Sequence, residues 1–204
     1  RDALLSREGL GLDDLPAGAR VGTSSLRRQC QLKSLRPDLV VADLRGNVNT
    51  RVRKLQEGQY EAIVLACAGL ERLGMGQLVT EVLAPPRWLP AATQGTIGVQ
   101  CRAGVEEIQG LASVLDDADA VLRTRAERAV AAALQGSCQV PLAVFAEEIG
   151  GVFSVNCMVG MPDGSRLLRA SASGNPEQAI DLADSVARDL IVQGADRIIE
   201  ALGR

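Results

Sequence analysis

Apolar and polar positions along this chain follow two different periods. Residues 60–66 form a nearly continuous apolar run, which reads as a strand buried on both faces. Residues 39–44 read as a shorter strand and residues 20–22 as a strand end. Helical spacing covers residues 25–35, capped by Thr23 or Ser24, and residues 47–56, capped by Asn47. Residues 70–73 and 77–83 also read as helical. Pro85-Pro86 and Pro90 punctuate a crossing segment, after which residues 94–100 read as a strand and residues 105–115 and 118–134 as helices. Strands alternating with helices of this length predict βαβ units and a parallel sheet.

The pattern changes after Gly136. Residues 142–147, 152–160 and 166–173 read as three strands, joined at Gly150-Gly151 and at the Pro162-Asp163-Gly164 turn. Tight turns between consecutive strands predict an antiparallel meander. A long amphipathic helix from Asn175-Pro176 to about residue 192 and a short one over residues 195–202 close the chain. The second half is therefore a small α+β domain starting near Asp117.

Composition narrows the chemistry. Hydrophobic residues make up 47% of the 204 but aromatics only 2%, so the core is aliphatic. A net charge of −3 offers no basic field for nucleic acid. No apolar run reaches the roughly 18–20 residues of a membrane span, and no secretory pattern opens the chain. The chain begins at Arg1, which suggests a fragment or processed product. It has no histidine, so imidazole acid–base chemistry and imidazole metal ligation are excluded. The five cysteines (Cys30, Cys67, Cys101, Cys138, Cys157) form no zinc or CxxC spacing, which fits free thiols in a reducing cytoplasm.

Nearly all cations are arginine; only Lys33 and Lys54 are lysines. A GC-rich genome accounts for this bias, and so does planar recognition of carboxylates or phosphates. Three constellations stand out. In residues 22–28, Thr23, Ser24 and Ser25 meet a helix start whose free N–H groups favour an anion, and Arg27 and Arg28 follow about 100° apart. An ordinary hydroxyl cap with two solvated arginines gives the same local pattern. Arg45, at a strand end, and Arg51, on the next helix, belong to the same strand-end crevice, where ligands of parallel sheets bind. Arg72 joins them or is plain surface. Cys138, between Gly136 and Pro141, is a loop thiol more accessible than a core cysteine.

The strings LPAGARVGTSSLRRQCQL, LRGNVNTR, AGLERLG, LPAATQGTIGVQCR, TRAERA, GSCQVP and PDGS, in this order, resemble the porphobilinogen deaminase family through nearly the whole chain. The resemblance implies a cytoplasmic, usually monomeric transferase that joins four porphobilinogen units into hydroxymethylbilane with release of ammonia. It implies an α/β, parallel-type lobe like those of periplasmic binding proteins over residues 1–89, ending domain 1 at its extreme N-terminus. Residues 90–116 return to domain 1, and residues 117–204 form an α+β domain with a three-stranded antiparallel sheet. It implies a dipyrromethane cofactor on Cys138 through a thioether. Arg27, Arg28, Arg45, Arg51 and Arg72 match arginines that bind its carboxylates and those of substrate. Thr23, Ser24 and Ser25 match the adjoining hydroxyl loop, and Gln94 and Gly95 the returning stretch. Ser137 stands where the family usually has glycine. By the same comparison the N-terminal segment with the catalytic aspartate is expected to be absent and the chain inactive alone. None of Asp2, Asp13, Asp14 or Asp43 lies in that aspartate's context. A non-catalytic anion-binding module is the alternative.

Overall fold

The computed structural model describes residues 1–134 and 140–202. Its first sheet has five strands in the order β3-β2-β4-β1-β5. These are β1 (Asp2–Ser6), β2 (Arg20–Gly22), β3 (Val40–Ala42), β4 (Ala62–Ala66) and β5 (Glu81–Leu83). β2 pairs in parallel with β3 and β4, with α1 (Leu26–Leu35) and α2 (Val48–Gln56) as the crossovers. The expected βαβ arrangement is therefore present. β1 was not expected. It inserts antiparallel between β4 and β5 and makes the sheet mixed.

Side-chain alternation along the strands sorts the core into two layers. Leu4 of β1 and Val64 of β4 face Leu32 of α1 and Trp88. Ala3 and Leu5, with Ile63 and Leu65, face Val52 and Leu55 of α2 and Leu70 of α3 (Cys67–Arg72). Two of the expected elements differ. Residues 77–83 are not a helix: a 3-10 turn at Gly76–Leu78 precedes β5, whose partner is β1. Residues 94–100 are irregular rather than a strand, and lead to α4 (Glu106–Ser113).

The second sheet is the expected three-stranded antiparallel meander. It comprises β6 (Leu142–Ile149), β7 (Val152–Gly160) and β8 (Leu167–Gly174). One face packs on α5 (Ala118–Ala133), α6 (Ala179–Val192) and α7 (Ala195–Leu202) through Val130, Phe153, Val155, Val186, Leu190 and Ile198. The opposite face presents Ala143, Phe145 and Met158 to Cys30 of α1 and to Leu89. This seam joins the two sheets' layers. At Gly160 a Cβ would lie 2.5 Å from the Cys30 sulfur. At Gly164, with φ of +73°, it would lie 2.6 Å from the backbone of Lys33 and Ser34. The second β-turn thus rests directly on α1. Among the described residues, no helix is long and apolar enough to cross a membrane.

Candidate functional site

The parallel strands β2, β3 and β4 open their carboxyl ends on one edge, where ligands of such sheets bind. Each strand feeds a helix start. Ser25 caps α1, its side chain accepting from the Arg28 N–H, and Asn47 caps α2. The two hydroxyls expected to cap α1 act elsewhere. Thr23 is buried and accepts from the Ser25 N–H at 3.2 Å. The Ser24 hydroxyl donates to the Leu44 carbonyl at 2.8 Å and accepts from the Leu44 N–H at 3.1 Å, tying the loops after β2 and β3 together. A Cβ on Gly95 would lie 3.7 Å from Ala68 at the start of α3, and one on Gly69 would lie 3.8 Å from Val48 at the start of α2. The edge therefore gathers Thr23, Ser24, Ser25, the Arg45 loop, Arg51 and Gly95.

Behind this edge lies a carboxylate that the sequence reading set aside. Asp2 is fully buried on β1, on the same strand face as Leu4 and so toward α1. Its Oδ2 accepts from Arg27 Nη1 and from Trp88 Nε1, each at 2.7 Å. Its Oδ1 accepts from Arg28 Nε at 3.1 Å, Arg28 Nη2 at 2.7 Å and Gln94 Nε2 at 2.9 Å. Arg27 also donates to the Leu89 carbonyl at 2.7 Å and to Gln94 Oε1 at 3.2 Å. Arg28 donates to the Val64 carbonyl at 3.0 Å. The two adjacent arginines, 6% and 9% exposed, thus converge on one internal carboxylate.

The electrostatics follow from burial and pairing. Burial alone would raise the pKa of Asp2. The charges and hydrogen bonds of Arg27 and Arg28 outweigh it and hold the carboxyl well below its ordinary range. Burial lowers Arg27, against the pull of Asp2. Two guanidinium groups facing one carboxylate leave a net positive charge in a low-dielectric pocket, where charge is felt strongly.

The remaining arginines differ in kind. Arg45 is held by Asp43 at 2.7 Å with its side chain 84% exposed. Arg51 donates to the Gly46 carbonyl at 2.7 Å. Arg72 ends α3, is exposed, and makes no hydrogen bond or ion pair among the described residues. Next to the cluster lies a cavity of about 810 Å³, lined among others by Arg1, Gln94, Gly95, Arg123, Glu127 and Phe145. Small-molecule pockets have volumes of this order. Gln94 faces both the cavity and the Asp2 cluster.

Cys138 lies outside the described residues. Burial pushes the Cys30 thiol up to about 12 and raises those of Cys157 and Cys67, so these three stay protonated at neutral pH. Asp2 and Trp88 are the site residues that sequence reasoning missed. The available signal was weak: a carboxylate two residues before Leu4 on a strand nothing had predicted.

Two family models match the chain. The model described as "Porphobilinogen deaminase, dipyromethane cofactor binding domain" matches residues 1–110. The model described as "Porphobilinogen deaminase, C-terminal domain" matches residues 121–192. The first match overturns one expectation. The N-terminal segment with the catalytic aspartate was expected to be absent and the chain inactive alone, yet residues 1–110 match the cofactor-binding domain from the chain's first residue. The structure gives the physical reason. Residues 2–6 are an internal strand hydrogen-bonded on both sides, and Asp2 anchors the arginine pair from it. With the two models matching residues 1–110 and 121–192, the chain belongs to the porphobilinogen deaminase family.

Proposed function

We propose that this chain acts as the transferase that joins four porphobilinogen units head to tail, releasing ammonia at each condensation, after which one water cleaves the tetrapyrrole from the primer as hydroxymethylbilane. The observation that carries this reading is the buried Arg27–Arg28 pair at the parallel-strand edge, left with more positive charge than Asp2 cancels. Each porphobilinogen brings an acetate and a propionate group, so a lengthening chain is strongly anionic and needs fixed cations. Arg27 and Arg28 supply a fixed field from within. Arg45 and Arg51, half-exposed or exposed at the rim, and Arg72 have the freedom to meet carboxylates of several lengths. Thr23, Ser24, Ser25, Gln94 and Gly95 shape the wall between them.

A dipyrromethane cofactor, joined through a thioether to Cys138, supplies the primer that incoming units extend. The residues present fit such a group, because the site's donors are arginines and hydroxyls suited to carboxylates and no imidazole or metal is required. The buried thiols of Cys30 and Cys157 and the half-buried thiol of Cys67 are held protonated and are poor nucleophiles, which narrows the attachment to Cys101 or Cys138, and the resemblance favours Cys138. The four described cysteines are free thiols, in keeping with a cytoplasmic enzyme, and the resemblance makes it a monomer.

Intact mass spectrometry and turnover test the reading. Protein from cells should carry an adduct of dipyrromethane size, consume porphobilinogen and release ammonia. Cys138→Ser should lose the adduct and Cys30→Ser should keep it. An adduct that survives Cys138→Ser overturns the attachment. Binding of porphobilinogen with neither adduct nor turnover favours the anion-binding module instead.

A further inference from the structure

We infer that Glu127 is a positioning residue for the arginine site, acting from the antiparallel-sheet domain through Thr93 and Gln94. This deepens the proposed function and rests on it for the identity of the ligand. Glu127 lies midway along α5 and is 6% exposed. Its Oε1 accepts from the Ala146 N–H of β6 at 2.9 Å, and its Oε2 accepts from the Thr93 N–H. It forms no ion pair among the described residues; Arg123 and Arg1 act on it only through the field. Burying a carboxylate merely to receive two backbone N–H groups is costly.

What the carboxylate secures is a backbone conformation. Thr93 has φ of +58°, the one described residue other than glycine in the left-handed region. A β-branched residue is strained there and stays only if its surroundings hold it. Gln94 follows immediately. Its side-chain amide accepts from Arg27 at 3.2 Å and donates to Asp2 at 2.9 Å and to the Arg1 carbonyl at 3.0 Å. One amide therefore bridges both partners of the buried ion pair. Rotation at Thr93 would swing that amide away. A second strut runs alongside: the Arg1 guanidinium lies 4.1 Å over the Phe145 ring, beside Ala146. The geometry thus makes the carboxylate-binding site depend on the placement of α5, the helix that leads in sequence to Cys138.

The chain's single tryptophan makes this testable, because Trp88 donates its indole N–H to Asp2. Glu127→Gln should shift the one indole resonance in a ¹⁵N–¹H spectrum of the full chain. It should also weaken porphobilinogen binding about fivefold. Adding Thr93→Gly should restore both, since glycine adopts positive φ without a clamp. Val130→Ala, fully buried on the same helix, should lower the melting temperature and leave the indole resonance in place. A folded Glu127→Gln protein with an unmoved indole, a Val130→Ala shift of equal size, or failure of Thr93→Gly to rescue overturns the inference. If Glu127→Gln does not fold, the wild type decides. Its Thr93 amide should be protected from exchange and should shift together with the Trp88 indole as porphobilinogen is added; rapid exchange overturns the inference. If porphobilinogen binds neither protein, the functional reading fails, while the indole response to Glu127→Gln still decides the coupling.

Discussion

Asp2, in the five-stranded lobe, and Glu127, in the antiparallel-sheet domain, are both almost wholly buried, yet their acidities move in opposite directions. Burial works on both in the same sense, against the charged form. The difference is what each faces. Asp2 meets two guanidinium groups, an indole and an amide, and its carboxyl is held low. Glu127 meets two backbone N–H groups, which temper burial without overcoming it, and its carboxyl is raised. Here two backbone N–H groups orient Glu127 without offsetting its burial, whereas two guanidinium charges keep Asp2 ionised. One lobe uses its carboxylate to hold charge, the other to hold shape.

The sharpest way to break this contrast is to remove the charge at Asp2. Asp2→Asn leaves two buried guanidinium groups without their partner and should destabilise the protein by about 3–5 kcal/mol in urea unfolding. The same group sets an acid limit. Its folded pKa lies below the unfolded value of about 3.9, so its contribution is complete above that pH and fades as pH falls below it. Asp2→Asn should lack this part of the acid limb; an unchanged limb would show that Asp2 is not the controlling group.

Glu127→Gln should cost less, about 1–3 kcal/mol, because one backbone N–H loses its acceptor while a desolvated charge is also removed. Here the sign of the pH dependence reverses. The folded pKa of Glu127 is raised, so the wild type loses stability as pH rises from the unfolded value of about 4.3 through the folded one. The gap between wild type and Glu127→Gln should therefore narrow from pH 4 to pH 7. A widening gap would contradict the assigned direction. The smallest stability effect belongs to the rim. Arg45→Ala should change unfolding free energy by less than about 1 kcal/mol, as exposed pairs do. It should nevertheless weaken porphobilinogen binding, measured by calorimetry. Unchanged binding would remove Arg45 from the proposed site.

Most of the fold was legible because local signals agreed with it. Asn47 caps α2 as its side chain predicts, the Gly150-Gly151 and Pro162-Asp163-Gly164 turns sit between the expected strands, and α5 and α6 follow their apolar spacing. The misreadings have a common cause. β1 is five residues long with one carboxylate, and only its neighbours on both sides make it a strand. Residues 94–100 carry apolar side chains but no pairing partner among the described residues, so the pattern alone does not make a strand. The arginine pair was read as a candidate anion site, with two solvated arginines as the alternative. That its first anion is Asp2 depends on contacts between residues 2, 27, 28, 88 and 94, which no local window contains.

The rest of α1 extends the meaning of the glycine contacts at the seam. Near its start α1 carries Arg27 and Arg28; farther along, Cys30 meets Gly160, and the backbone of Lys33 and Ser34 bears the turn at Gly164. A ten-residue helix is a rod about 15 Å long and bends little over that span. With the Gly164 turn seated on its far half and Asp2 fixing the arginines near its head, α1 is a stiff link between the antiparallel sheet and the arginine pair. At Gly164 no side chain fits between turn and helix, so the link has no soft joint there.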